Sequence, residues 1–397
     1  MRMRVGILLL LLVAGFGAWN YLRPIPAVAA TAQFPTSYTV SGAPPTLPWP
    51  ASGSAAVGVQ GLGFIASSNL QSPIPAASIT KVMTALLILE DKPLNVNDVG
   101  PNITITDADV QSYEADRAAG GSVVEVQADE LLTERQALEG MLIPSANNLA
   151  ETLARWDSGS VASFVTKMNA RAAALSLTHT RFADVSGASP GSVSTPTDLM
   201  ALGMTAMQQA VLAEIVGMGE VLLPVAGNVY NVDAVIGQSG IIGIKTGSGV
   251  NSGANFLFAA VATVDGHQVT MYGCVMGETT LDLAFSAAKT LIASMAAALH
   301  VRRVIERNQT IATYVTPWGA QSDLVSSLDV DLVEWPGMVL RQHLDANSLT
   351  VAQPLAAGER EGTEHLVLGD YVLDVPLVTA VPLYPPGRLW RLTRLSL

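Results

Sequence analysis

The sequence predicts an α/β (α+β) fold: an antiparallel sheet flanked by helices, followed by a smaller C-terminal β domain. Three observations carry this prediction. From Glu130 to about Trp156, "LLTERQALEGML" and "NNLAETLARW" repeat apolar residues at helical spacing, and "SVASFVTKMNARAAALSL" and "STPTDLMALGMTAMQQAVLAEIVGM" continue the helical character. From Glu220 to Gly277 the pattern changes to "IIGIKTG", "ANFLFAAVATV" and "HQVTMYGCVMG". These apolar runs are separated by turn signals, as expected of adjacent antiparallel strands. After about His300, "LVSSLDVDLVEW" and "YVLDVPLVTAVPL" read as short strands with turns and without a convincing helix.

In chain order, "MRMR" precedes the uncharged apolar run Val5 to Trp19, and "AVAA" follows. A basic start, an apolar segment and small residues at Ala27 and Ala29 make an export signal. Residues 1–30 are therefore expected to be a signal peptide, cleaved near Ala29, or else a membrane anchor. The apolar run is shorter than the roughly 20 residues of a full span. Residues 31–53, rich in Pro, Ser and Gly, read as a flexible lead-in. "SAAVGVQGLGFIASS" suggests two strands broken at Gly61, and a helix follows "PAAS". Residues 101–127 mix strand-like pieces such as "ITIT" and "SVVEVQ" with polar loops. "TTLDLAFSAAKTLIASMAAAL" is a long helix that closes a domain over residues 54–300. A C-terminal β domain is expected over 301–385. In the tail 386–397, Arg388, Arg391 and Arg394 recur among Leu389, Trp390, Leu392 and Leu395, which suits an amphipathic end on an anionic membrane surface.

Composition narrows the function classes. Charged residues make up 14% of the 397 residues, against a usual value of about 25%. The net charge of -12 and the lack of a basic patch argue against nucleic acid as a partner. The single cysteine, Cys274, sits in an apolar strand-like run and reads as a buried structural thiol. The five histidines are scattered, so neither a metal site nor a cofactor is expected. "GSGVNSG" leads into a strand and not a helix, which excludes a dinucleotide or phosphate loop.

Lysine occurs only at 81, 92, 167, 245 and 289, so each lysine in a motif is informative. Ser78 and Lys81 are one helical turn apart, which puts both side chains on one face. A serine hydroxyl needs a base to become a nucleophile, and a neutral amine can be that base if burial and a nearby cation lower its pKa. Ser286 and Lys289 have the same spacing, and Ser67 to Asn69 repeats a Ser-x-Asn. Only the set Ser78/Lys81, Ser145/Asn147 and Lys245-Thr246-Gly247 forms an ordered triple.

That triple resembles the penicillin-binding serine hydrolases, which combine Ser-x-x-Lys, Ser-x-Asn and Lys-Thr-Gly. More narrowly, "PAASITKVMTALLILE", "MLIPSANNLAETLA", "THTRFADVSG", "STPTDLMAL" and "IIGIKTGSGVNSGANFLFAA" are similar to segments of the D-alanyl-D-alanine carboxypeptidases, the low-molecular-weight penicillin-binding proteins. The resemblance covers roughly residues 50–300 and implies a β-lactamase/transpeptidase-like domain. It implies catalytic roles for Ser78, Lys81 and Ser145, and substrate binding by Asn147, Lys245, Thr246, Gly247 and Ser248. Ser78 and Ser248 would supply the oxyanion-hole N–H groups. The implied partner is a peptidoglycan stem peptide ending in D-Ala-D-Ala, with β-lactams as covalent inhibitors. The implied location is extracytoplasmic. A β-lactamase is disfavoured, because the middle motif is Ser-Ala-Asn and no convincing Glu-x-x-x-Asn precedes Lys245. A D,D-endopeptidase shares the same motifs. A non-catalytic binding protein of this fold would be expected to carry degenerate motifs, and these are intact.

Overall fold

The computed structural model describes residues 2–68 and 71–395. Asn69, which completes the upstream Ser-x-Asn, lies outside them. The chain divides into two compact units, Pro44–His300 and the two ends, Met1–Ala43 with Val301–Leu397.

The N-terminal end supplies α1 (Arg2–Leu22), β1 (Ala30–Ala32) and β2 (Ser37–Thr39). The lead-in expected to lack regular structure over 31–53 therefore contains strands. β1 pairs with a partner strand through Ala30 and Tyr314, and β2 through Thr39 and Val339. Three-residue strands carry too little periodicity to be seen in sequence, and their partners lie some 300 residues away.

The larger unit opens with β3 (Ser54–Val59) and β4 (Gly63–Ser67). Seven helices follow: α2 (Thr80–Asp91), α3 (Asp107–Ala118), α4 (Glu134–Leu142), α5 (Asn147–Ser158), α6 (Val161–Ala174), α7 (Pro196–Ala206) and α8 (Ala210–Val216). Strands β5 (Ile241–Gly249), β6 (Gly253–Val264) and β7 (His267–Glu278) and helix α9 (Leu281–Ala298) close the unit. The sheet is antiparallel in the order β5-β6-β7-β3-β4.

Both faces of this sheet are covered, which explains why β3 and most of β6 are buried throughout. Successive strand residues point to opposite faces. Phe256 meets Phe285 of α9 edge-on at 4.9 Å, while Leu257, on the other face, lies where a side chain at Gly203 of α7 would stand. Helix α2 runs through the helical layer with every residue from Thr80 to Leu89 buried. Its apolar run "VMTALLIL" needs no polar face because neighbours surround it.

Over 101–127 the strand piece expected in "ITIT" is present as Asn102–Thr104, paired with Leu131–Thr133, but the polar stretch after it is not a loop and forms helix α3. Its first turn is held by a capping box between Thr106 and Asp109, and only Asp109 and Tyr113 are buried. A helix with so narrow an apolar face shows little periodicity. "SVVEVQ" is not a strand either. Val124 bonds to the side chain of Asn148, whose Oδ1 accepts from the Val124 N–H (3.1 Å) and whose Nδ2 donates to the Val124 carbonyl (2.9 Å). A side-chain amide thus replaces a neighbouring strand, and Asn148 supports this segment as well as its own helix.

The chain ends with β8 (Thr310–Val315), β9 (Gln321–Ser326), β10 (Val339–Ala346), β11 (Arg360–Leu368), β12 (Tyr371–Thr379) and α10 (Arg388–Thr393). The seven-stranded sheet has the order β1-β8-β9-β12-β11-β10-β2. The N-terminal strands therefore occupy both edges, where unpaired backbone groups would otherwise be exposed.

Candidate active site

Ser78 lies in a single turn of 3-10 helix, Ala77–Ile79, that leads into α2. The preceding Ala77 has φ +48°, a left-handed conformation rare outside glycine. Asn255 of β6 holds this turn by donating to the carbonyls of Pro75 (3.0 Å) and Ala76 (3.3 Å). Gly247 of β5 lets the strand lie against the same turn. A Cβ there would come 3.0 Å from the Ala76 carbonyl and 3.1 Å from the Ser78 nitrogen. The close approach at Gly247 is thus to the chain's own backbone, a constraint separate from the substrate binding that the resemblance implies for it.

Lys81 is fully buried. Its Nζ stands 3.0 Å from Ser78 Oγ, 2.7 Å from Asn147 Oδ1 and 2.8 Å from the Ser186 carbonyl. Two of these three neighbours can only accept a hydrogen bond. A neutral amine has two N–H groups and one lone pair. With the N–H groups directed at the two carbonyl oxygens, the lone pair faces the Ser78 hydroxyl. Burial, and then the charge of Lys245, push the Lys81 amine well below its ordinary pKa, while Asp184 and Asp116 pull weakly the other way. Geometry and electrostatics both favour an amine poised to take the Ser78 proton.

Ser145 lies in the turn between α4 and α5 with φ +68°, and its hydroxyl is buried. Among the described residues it makes no hydrogen bond to Ser78, Lys81 or Lys245. Asn147 begins α5, and its Oδ1 is committed to Lys81, which leaves Nδ2 as its free polar group. Lys245, Thr246 and Gly247 follow one another on β5, paired with Leu257, Phe256 and Asn255. Lys245 and Thr246 are buried, and Ser248 is exposed at the end of the strand. Burial lowers the Lys245 amine to about 7, against the opposing charge of Asp233, and raises the Asp233 carboxyl to about 6. Ser78, Asn147 and Ser248 line one cleft of about 440 Å³, walled by Asp116, Gly121 and Ala188.

The second Ser-x-x-Lys serves as a control. Ser286 is exposed on α9, and Lys289 donates to Gln238 at the surface. Cys274 is fully buried and burial raises its thiol pKa. Among the described residues no cluster of His, Cys, Asp or Glu is disposed to hold a metal.

Sequence reasoning missed the loop after Phe182. Asp184 accepts hydrogen bonds from Ser186 Oγ (3.1 Å), the Ala188 N–H (2.8 Å), the Ser189 N–H (3.2 Å) and the Ser192 hydroxyl. These bonds hold the Ser186 carbonyl against Lys81. Gly187, at φ +80°, passes so close to the Ser78 turn that a Cβ would lie 1.8 Å from the Ala77 carbonyl oxygen. The only signal of these roles was the segment "THTRFADVSG". Asn255 lay unremarked inside "IIGIKTGSGVNSGANFLFAA", and Asp233 had no signal at all.

The sequence profile described as D-alanyl-D-alanine carboxypeptidase (peptidase S11) matches residues 56–280. A D-alanyl-D-alanine endopeptidase of Pseudomonas aeruginosa is 35% identical over 165 residues, 41% of this chain and 50% of that protein. The match therefore spans half the length of that relative. The D-alanyl-D-alanine carboxypeptidase DacB2 of Mycobacterium tuberculosis is 34% identical over 211 residues, covering 51% of this chain and 67% of its own length. The crystal structure of the Streptomyces K15 DD-transpeptidase superposes with a TM-score of 0.57 at 26% identity, over 64% of this chain and all of that one (100%). A peptidoglycan synthesis regulatory factor (PBP3) from Streptococcus pneumoniae shares the fold over 84% of this chain and 99% of its own, with a TM-score of 0.66 at 18% identity. With its motifs assembled on that fold and a profile match over more than half its length, the chain belongs to the D-alanyl-D-alanine carboxypeptidase family of serine peptidases.

Proposed function

We propose that the protein removes the terminal D-alanine from peptidoglycan stem pentapeptides through an acyl-enzyme on Ser78. The observation that carries this reading is the three-way contact of Lys81 Nζ with Ser78, Asn147 and the Ser186 carbonyl. Lys81 takes the Ser78 proton as Oγ bonds to the carbonyl carbon of the penultimate D-alanine. The C=O π electrons move onto the substrate's carbonyl oxygen, and the backbone N–H groups of Ser78 and Ser248 receive that negative charge. The proton passes through Ser145 to the departing amine as the C–N bond breaks and D-alanine leaves. Water then attacks the ester, with Lys81 again taking a proton, and Ser78 is regenerated. Asn147 Nδ2 bonds the substrate peptide. Lys245 and Thr246 hold its terminal carboxylate by a charge-assisted hydrogen bond and a hydroxyl.

β-Lactams enter the same path and leave it slowly as esters, because no convincing Glu-x-x-x-Asn precedes Lys245 to supply a water-activating glutamate. The acting site lies outside the cytoplasm at the cell envelope, with the N-terminal segment and the 386–397 tail at the membrane. Mass spectrometry after incubation with penicillin and with a D-Ala-D-Ala pentapeptide tests the reading. Expected are a penicilloyl adduct on Ser78 and loss of one D-alanine. An unmodified protein would refute it, and cleavage of cross-linked dimers alone would favour an endopeptidase.

The lysines fix the expected pH dependence. Lys245 binds the carboxylate only when protonated, and in the free enzyme it loses its proton near pH 7. kcat/KM for a carboxylate-bearing substrate should therefore fall as pH rises above about 7. It should also fall in acid as Lys81 becomes protonated. Asp233 raises the Lys245 pKa, so Asp233→Asn should move the alkaline limb to lower pH. An unmoved limb in the rate profile of that variant would remove Lys245 as the group responsible.

A further inference from the structure

The N-terminal helix and the C-terminal tail are bound to each other by contacts that a discarded leader would not need. Helix α1 has 21 residues, about 32 Å at 1.5 Å per residue, which matches a hydrocarbon core of about 30 Å. The stretch Val5–Leu22 has a mean hydropathy of 2.0, and Leu8 to Val13 are 58–73% exposed. The helix is long enough to span because its uncharged stretch runs on from Trp19 to Leu22, three residues past the run counted in the sequence.

The last turn of α1 is built differently. Asn20 is fully buried, and its Nδ2 donates to the carbonyls of Leu392 (3.3 Å) and Arg394 (2.9 Å). In return the Arg394 guanidinium donates to the carbonyls of Asn20 (2.9 Å), Arg23 (2.6 Å) and Pro24 (2.9 Å). Arg391 donates to the Tyr21 carbonyl (2.8 Å) and lies 4.4 Å from the Tyr21 ring centroid. The end of a helix has unpaired carbonyls and partial negative charge, and arginine satisfies both. Leu392 packs on Gly17, with Cδ2 3.6 Å from where a Cβ would stand. Trp390 in turn meets Trp318 edge-on at 5.3 Å, which ties α10 to its own β unit.

We propose that α1 remains on the mature enzyme as a membrane span, and that α10 locks onto its end to form one element that docks on an anionic bilayer. The proposal deepens the cell-envelope reading above and rests on it. α1 takes the hydrocarbon, while the arginines of α10 and Arg23 take anionic headgroups. Residues 1–33 and 381–397 contain no acidic side chain to oppose them. Leu389 and Leu395 are 75% and 88% exposed and face the acyl boundary. Trp19, Tyr21 and Trp390 gather at the level where aromatic belts form. Cleavage after Ala29 would remove every carbonyl that the Arg394 guanidinium bonds to, leaving it only the Trp390 ring, although the residue is only 6% exposed.

The full chain expressed in bacteria provides the test. Its intact mass and carbonate extraction are measured on isolated membranes, with fluorescent penicillin labelling of the same sample. A disulfide between Gly17→Cys and Leu392→Cys is read by gel shift, with Leu9→Cys and Leu392→Cys as the pair two turns out of reach. Expected are an uncleaved N-terminus, carbonate-resistant protein and cross-linking in the first pair only. A mature chain beginning at Ala30, or an uncleaved chain that fails to cross-link, would overturn the proposal. Penicillin labelling of a cleaved chain would refute the anchor and leave the catalytic reading standing. An anchored chain without labelling would do the reverse. In reconstituted vesicles, Leu395→Cys should be protected from a water-soluble maleimide by phosphatidylglycerol more than by phosphatidylcholine. Equal reactivity would overturn the anionic preference.

Discussion

Replacing Lys81 by alanine should lower the rate of penicillin acylation by about 10³–10⁴-fold, the upper range for loss of a positioned general base. The variant keeps Ser78 and its turn but has no lone pair 3.0 Å from the hydroxyl. Lys81→Arg should fail as completely, because a guanidinium keeps its proton and has no lone pair to offer. That pair of variants separates base catalysis from charge: if the positive charge alone mattered, arginine would restore activity. Both should be compared by time courses of fluorescent penicillin labelling, with circular dichroism as a check on folding. Near-normal acylation in either variant would remove Lys81 from the proton path.

Gly187→Ala should be nearly as damaging, although the residue has no functional group. Its new Cβ would fall 1.8 Å from the Ala77 carbonyl oxygen and 2.9 Å from Thr80 Oγ1. Backbone atoms cannot swing away as a side chain can, so either the Ser78 turn or the Asp184 loop must move. Either displacement separates Lys81 from a partner. A misplacement of about 1 Å costs on the order of 10²-fold in rate, and the left-handed strain and overpacking should together cost about 2–4 kcal/mol of stability. Gly266→Ala is the control, because Gly266 has φ +85° but open space around it. It should lose stability from strain alone and acylate normally. Wild-type acylation by Gly187→Ala would show that the loop is not coupled to the nucleophile.

Much of this site was legible because short motifs name residues whose chemistry is rare. A buried lysine beside a serine has few structural uses, and the ordered triple set Ser78 and Lys81 apart from Ser286 and Lys289. What the motifs could not convey was support. Asp184 acts through a loop of backbone donors, Asn255 through two carbonyls and Asp233 through charge at Lys245. None of these uses repeats at a period or carries a distinctive residue type. The fold divides in the same way. The long strands β5, β6 and β7 and the buried helices announce themselves through apolar periodicity. Helix α3 does not, because a capping box and two buried residues suffice to hold it. The edge strands β1 and β2 also escape notice, since their existence depends on partners near the other end of the chain.

The left-handed backbone at Ala77 has a consequence for how the enzyme can vary. An L-residue held there carries about 1–3 kcal/mol of strain that glycine would largely avoid. Ala77→Gly is therefore an accessible gain in folding stability one residue from Ser78. The same change would widen the conformational choices of the turn and leave Ser78 less confined in front of Lys81. At this position the fold has exchanged stability for rigidity, and selection for a sturdier protein alone would loosen the turn that carries Ser78.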